Sequence, residues 1–352
     1  MATLRQTFSD IASAIRAKGV SGTMKPIEMA QKIGEIQQGL DYGYFTFTAE
    51  EATTLTLEQD GEIAPHKLLK STDGLNWTKW ENPSTNGISL NVGESVYLKA
   101  DEDASWRTAT GDNPYNKFSS TGKIKCEGDI RSLVKPIALE DYYYFAHKLF
   151  NGCKITNAPE LPYTNLADYC YWHMFDWCKS LTTAPELPAT TLARACYSTM
   201  FSSCSSLTKA PSVLPATTLA RACYNFMFGS CSSLTIAPTL PATTLVDDCY
   251  TGMFYNCTSL KRIKMNASTG VLSWGMFNGC TSLELVDMTG STGAPWLDTT
   301  AFENTNDTYK IVVPDSLYDT WIAATNWVAI ASHIMKQTDW NAAHPDDILG
   351  QQ

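Results

Sequence analysis

The stretch from about residue 149 to 265 is one phrase written several times, and few folds can hold such a phrase. Residues 181–204 read LTTAPELPATTLARACYSTMFSSC, 207–231 read LTKAPSVLPATTLARACYNFMFGSC, and 234–257 read LTIAPTLPATTLVDDCYTGMFYNC. A looser copy, ITNAPELPYTNLADYCYWHMFDWC, precedes them at 155–178, and a degraded one ends at Met276, Phe277 and Cys280. The period of about 26 residues lies in the solenoid range. A unit this short cannot bury an apolar face alone; stacked on its neighbours it builds a continuous core.

Each copy has two halves. Leu192, Cys196, Met200 and Cys204 fall four apart, the stripe of an amphipathic helix, and Thr190 and Thr191 are candidate caps for it. The other half, Leu181 to Pro185, ends in proline and can form only a brief strand.

The cysteines fit packing better than chemistry. They recur as Cys170 and Cys178, Cys196 and Cys204, Cys223 and Cys231, and Cys249 and Cys257. A helix between partners separates them by ~10 Å, beyond the ~7 Å reach of a disulfide. Equivalent cysteines in adjacent copies are expected at a helix-packing distance of ~8–10 Å, again too far. The total of eleven is odd, so complete internal pairing is excluded. The expectation is a ladder of reduced, buried thiols. The ladder has no close zinc-type spacing, so neither a metal site nor a cofactor is expected.

The tandem phrase SLTTAPELPATTLA..CY..MF..C resembles the BspA-like (treponemal-type) leucine-rich repeats, found on surface proteins of gut and oral bacteria and in gut phage proteins. The likeness spans roughly residues 145–290. It implies a curved solenoid of strand plus helix and an association with adhesion. Residues 295–338, with FENTN and ATNW, resemble the unit that closes the stack in such proteins.

Before the repeats, residues 1–38 read as two short helices. One carries Leu4, Phe8, Ile11 and Ile15 up to Gly19; the other opens at Pro26 and carries Ile27, Ala30, Ile33 and Ile36. A hairpin this small must dock on something larger. Its phrase FSDIASAIRAKGVSGTMKPIEMAQKIGEI resembles a short N-terminal module of phage tail and other virion-associated proteins, which implies attachment to the particle. Period-two alternation then sets in, with turn clusters at Asp60-Gly61, Asp73-Gly74 and 83–87, and predicts a small immunoglobulin-like sandwich. Ser71 to Trp77 is similar to an aspartate box of sialidase-type propellers, although a plain hairpin turn explains it. The bridge from Cys126 to Leu149 is expected to cap the first rung.

The fold class expected is therefore α+β multidomain: a helical attachment module (1–40), an immunoglobulin-like β-sandwich (41–133), an α/β leucine-rich-repeat solenoid (134–290), a C-terminal cap (291–340) and a loose polar tail (341–352).

A net charge of −10 argues against nucleic acid. No apolar run reaches 18 residues, so no membrane span is expected. The start, MATLRQTFSD, lacks a signal-type apolar core. The expectation is a virion protein assembled in the bacterial cytoplasm, with a bacterial cell-surface adhesin as the alternative. Virion or tail proteins are its expected partners through residues 1–40, and homo-oligomerisation is open.

No catalytic residues are expected. Of the five histidines only His173 lies near a cysteine, and the other copies place Thr199, Phe226 and Gly252 at its position. Binding is expected on the strand face of the stack, at Thr156, Asn157, Thr182, Thr183, Thr208, Lys209, Thr235 and Ile236, a hydroxyl-rich lane suited to a host-surface glycan or protein. Trp172, His173 and Trp177 break the repeat and are further candidates. A non-recognising structural or decoration protein of the virion is the competing reading. The tyrosines Tyr171, Tyr197, Tyr224 and Tyr250 either stack on a ligand or pack between rungs.

Overall fold

The structure, a computed structural model, describes residues 43–59, 67–101, 115–133 and 144–349. The chain divides into two compact units, 1–42 and 43–352, and every described residue belongs to the second. The helical module expected at 1–40 lies outside the described residues. From Phe45 to Leu133 those residues form strands and one 3-10 turn, with no helical hairpin among them.

Eight strands build the first part: β1 (Phe45–Ala49), β2 (Thr53–Gln59), β3 (Leu68–Ser71), β4 (Thr78–Lys79), β5 (Ile88–Leu90), β6 (Ser95–Ala100), β7 (Asn116–Ser120) and β8 (Ile124–Glu127). Alternation along β1 buries Phe45, Phe47 and Ala49, the period-two pattern of a strand with one face on a core. The strands pair antiparallel in two sheets, ordered β4-β3-β6-β1-β8 and β5-β2-β7. Phe47 on one sheet meets Phe118 on the other with ring centroids 5.0 Å apart. This order corrects the immunoglobulin-like expectation: there the first two strands share a sheet, whereas here they lie in opposite ones.

The sandwich packs directly against the repeats. Phe150 stacks on Phe118 at 5.7 Å and on Phe45 at 6.0 Å. Ile124 of β8 forms a parallel bridge with Ile155 of the first copy. One hydrophobic core extends from the sandwich through the repeats. The edge of the first rung is thus covered by the sandwich itself.

The rungs hold no helix, which corrects the strand-plus-helix solenoid. Residues 194–203 are a run of turns, as are 168–177. Backbone hydrogen bonding alternates along this ribbon. Cys196, Ser198, Met200, Ser202 and Cys204 each donate to the carbonyl three residues back; Ala195, Tyr197, Thr199, Phe201 and Ser203 donate to the next rung. Every fourth residue has positive φ: Ala195 (50°), Thr199 (51°) and Ser203 (59°), as do Tyr169, His173 and Trp177 one rung earlier. The ribbon therefore repeats every four residues, as an amphipathic helix nearly does, and turns the same Cys, Tyr, Met and Phe side chains inward. An α-helix would satisfy its own amides; this ribbon hands half of them to its neighbour. Rungs consequently stack at the spacing of paired strands rather than of packed helices.

Two side-chain ladders record that spacing. Phe150, Phe175, Phe201, Phe228, Phe254 and Phe277 stack face to face at 5.4–6.0 Å with rings within 10° of parallel. The ladder continues through Phe302 and Tyr309 to His333. Tyr171, Tyr197, Tyr224 and Tyr250 form the second, at 5.7–6.0 Å, fully inside. All eleven cysteines are free and buried. Each second cysteine of a copy donates its thiol to the phenylalanine carbonyl of the preceding rung, as Cys204 Sγ does to Phe175 at 3.0 Å and Cys231 Sγ to Phe201 at 3.1 Å. The thiol thus combines apolar volume with a donor for a buried carbonyl.

On the strand side the early copies make only isolated parallel bridges, such as Thr183 with Lys209. Proline follows within two residues in each (Pro185, Pro211, Pro238) and removes a ladder donor. Where Lys264 and Asp287 replace it, strands form: β9 (Arg262–Lys264), β11 (Leu285–Asp287), β13 (Lys310–Val313) and β14 (Ile334–Lys336), a parallel sheet ordered β14-β13-β11-β9. A minor pair joins β10 (Val271–Leu272) to β12 (Trp296–Leu297).

The stack is closed by α1 (Tyr318–Ala323) and a 3-10 turn over Trp327–His333, the two separated at Asn326, which has φ 69°. Trp321 and Trp327 are fully buried at 4.5 Å from each other, and Trp327 Nε1 donates to Pro295 O at 2.6 Å. The residues beyond are not loose: α2 (Gln337–Ala343) lies against β13 and β14, with Trp340 5% exposed.

Candidate functional site

The expected strand-side residues form a real column. Thr208 N and Oγ1 both donate to Thr182 O, at 3.0 and 3.2 Å, and Thr182 does the same to Thr156 O, both at 3.3 Å. The hydroxyl protons of Thr182 and Thr208 are thus spent on the stack, and what those hydroxyls offer outward is lone pairs and methyls. Thr182, Thr183, Thr208, Lys209 and Thr235 are exposed; Thr156 is half-buried. Asn157 is committed elsewhere: its amide brackets Cys126, accepting from the backbone N at 3.0 Å and donating to O. Ile236, next in the outward row, is 64% exposed.

The three aromatic candidates do not act as a unit. Trp172 stacks on His147 at 4.8 Å, the rings nearly parallel, and touches His173 at 4.8 Å. His173 Nδ1 lies 2.9 Å from Asp176 Oδ2, which also takes Asn151 Nδ2 at 3.3 Å. Both Trp172 and His173 are half-buried within an aromatic cluster that includes Tyr144 and Tyr169. Trp177 stands apart, 54% exposed, with Lys179 Nζ 4.7 Å above its ring. The tyrosine ladder is interior, and burial pushes all four hydroxyls well above their ordinary pKa. It is not a ligand platform.

A second aromatic cluster escaped sequence reasoning. Phe226, Tyr255 and Trp274 come from three successive rungs and meet at 5.9–6.0 Å, with Trp274 47% exposed. Phe226 lies over Gly252, where a Cβ would come within 2.6 Å of its ring. The signal was present in the copies: Phe226 and Tyr255 break positions that their equivalents fill with small or polar residues, and Trp274 shares its position with Trp172 but with Ser198, Asn225 and Thr251 in the copies between.

No chemistry gathers here. Burial drives the cysteine thiols upward, Cys153 and Cys249 to about 11 and Cys280 to about 12, so they are poor nucleophiles. Among the described residues, no group of three His, Cys, Asp or Glu could hold a metal ion. The aspartate-box likeness reduces to a self-capped turn, in which Asp73 Oδ1 accepts from Leu75 N and Asn76 N, both at 2.8 Å. No described helix is long and apolar enough to cross a membrane.

Residues 215–320 match the BspA type leucine rich repeat region, in six copies. The match starts later than the expected 145–290 and runs on into α1. A solved leucine-rich repeat protein from Bacteroides ovatus is similar at 14% identity over 65% of this chain and 97% of that one, with a TM-score of 0.13, at which the likeness carries no argument. No curated protein matches. These findings correct the phage attribution: they point to BspA-type repeats, and the described residues from Phe45 to Leu133 are mostly strands. The virion identity, the virion or tail partners through residues 1–40 and the virion localisation do not stand.

Proposed function

We propose that this protein is a non-catalytic recognition module of the BspA-like adhesin kind, acting at a bacterial cell surface and binding a glycan or protein through the strand side of its repeats. The observation that carries this reading is the exposed lane of Thr182, Thr183, Thr208 and Lys209, held in register by backbone hydrogen bonds and so fixed before any ligand arrives, with exposed Thr235 at the equivalent place in the next copy. A rigid row of hydroxyls and one cation loses little entropy on binding. The stack supplies that rigidity, and the sandwich closes its first rung. Trp177, exposed at a rung corner with Lys179 beside it, adds an apolar face suited to a sugar ring or a side chain.

The test is binding of the full chain to a glycan array and to epithelial cells, compared with Thr183→Glu/Thr208→Glu/Thr235→Glu. Retained folding with at least a tenfold loss of binding is expected. Binding unchanged by the triple substitution, or no binding of the unaltered chain to any glycan or cell, would overturn the reading.

A further inference from the structure

We infer that the outer face of β9, β11 and β13 is a docking site for a peptide segment carrying a carboxylate beside an aromatic or aliphatic side chain, which the chain holds closed with its own residues 337–349. The inference rests on the repeat face being a recognition surface, and it names the partner's chemistry.

Strand alternation defines the face. Ile263, Val286 and Ile311 point into the continuous core, so Arg262, Leu285, Lys310 and Val312 point out. On that outer side Trp340 packs against Leu285 and Val312, with Met335 and Leu349 beside them, as a cluster separate from the main core. Arg262 grips Asp347 with both guanidinium nitrogens, Nη1 at 2.9 Å from Oδ1. This is the two-pronged geometry by which arginine selects a carboxylate. The strap is folded on itself: Trp340 Nε1 donates to Asp347 O at 3.1 Å, and Asn341 exchanges hydrogen bonds with Leu349 at 2.9 and 3.2 Å.

The strap covers a body that is already finished. Trp321, Trp327 and Ile334 close the core without it. What it hides is a cation next to two aliphatic side chains, and that row does not stop at its edge. Ile236, bridged in register to Arg262, is 64% exposed, and the repeat alignment places Lys209 and Thr183 before it, both exposed. A cation beside an aliphatic residue therefore recurs uncovered, continuous with the covered site. A partner with the strap's chemistry can displace it and run onward over Ile236 to Lys209. Small clusters outside the main core are the first to open.

The test uses the full chain and a labelled synthetic peptide of residues 337–349. Trp340→Ala/Asp347→Ala should release the strap, read as faster hydrogen exchange in 337–349 with exchange in the rungs unchanged. That variant should bind the peptide at least tenfold more tightly than the unaltered chain. Adding Arg262→Glu, or using a peptide with Asp347→Asn, should cost at least tenfold. A strap that stays protected in the double variant, an opened variant that binds no better, or indifference to Arg262→Glu would each overturn the inference. No surface ligand enters this assay, so its failure is distinguishable from a failure of the adhesion reading and leaves that reading standing.

Discussion

Replacing Phe201 with alanine probes the stack where it is most regular. The ring is fully buried between Phe175, at 5.4 Å and 3° from parallel, and Phe228, at 5.5 Å and 10°. Truncating a buried phenylalanine costs about 3–5 kcal/mol. Each ring pair lost accounts for about 0.5–1.5 kcal/mol of that. Rungs contact only their neighbours, so the cavity cannot be refilled from elsewhere, and the upper half of the range applies. Phe226→Ala serves as control: its ring sits half-buried on the outside of the ribbon, and its loss should cost about 1 kcal/mol. Equilibrium urea unfolding of the two variants beside the unaltered chain measures both. A cost below about 1 kcal/mol at Phe201, or equal costs at both sites, would refute a core built on face-to-face stacking.

Alkaline pH should weaken the fold. Burial raises the folded-state pKa of Cys153 and Cys249 to about 11, so their contribution is intact below the ordinary thiol value and is lost as pH climbs from about 9 towards 11. Thiolate absorbance should then appear together with unfolding rather than ahead of it. Gly270→Ala should destabilise by more than about 2 kcal/mol in thermal or urea unfolding, because the residue has φ 86° and a Cβ there would lie 2.2 Å from the Leu245 carbonyl oxygen. Acid should loosen the strap first. Its hydrogen bonds to Arg262 hold Asp347 below the usual carboxylate pKa, so that support is present at neutral pH and is lost as pH falls below about 4, read as exchange in 337–349 rising before exchange in the rungs.

The rung length and the inward residues were legible because near-verbatim copies expose what each position must do. The ribbon's conformation was not, because a stripe at four-residue spacing fits a row of turns as well as a helix. The discriminating signal sat in the later copies: Gly252, Gly275 and Gly279 occupy the positive-φ positions that Thr199 and Ser203 fill at a cost of roughly 1–2 kcal/mol each. Glycine every fourth residue argues against a helix. The thiol donors were hidden for the same reason, since their acceptors belong to the preceding rung. The strap was illegible because one tryptophan in a polar tail carries no periodicity. Phe226, Tyr255 and Trp274 were legible in principle as departures from the consensus, but only the stack brings three rungs together.

The central claim, that ribbons of adjacent rungs are hydrogen-bonded neighbours, is tested most directly by a cross-link. Ser203 and Ser230 occupy the same position in successive rungs, both half-buried with φ near 60°, and Ser203 N donates to Gly229 O at 2.7 Å. At the ~4.8 Å separation of paired strands, a Ser203→Cys/Ser230→Cys protein should close a disulfide on mild oxidation, seen as a linked peptide by mass spectrometry, with the eleven buried native thiols untouched. Two engineered thiols that both react with an alkylating reagent yet never cross-link would put the ribbons at the ~8–10 Å of packed helices and contradict the account.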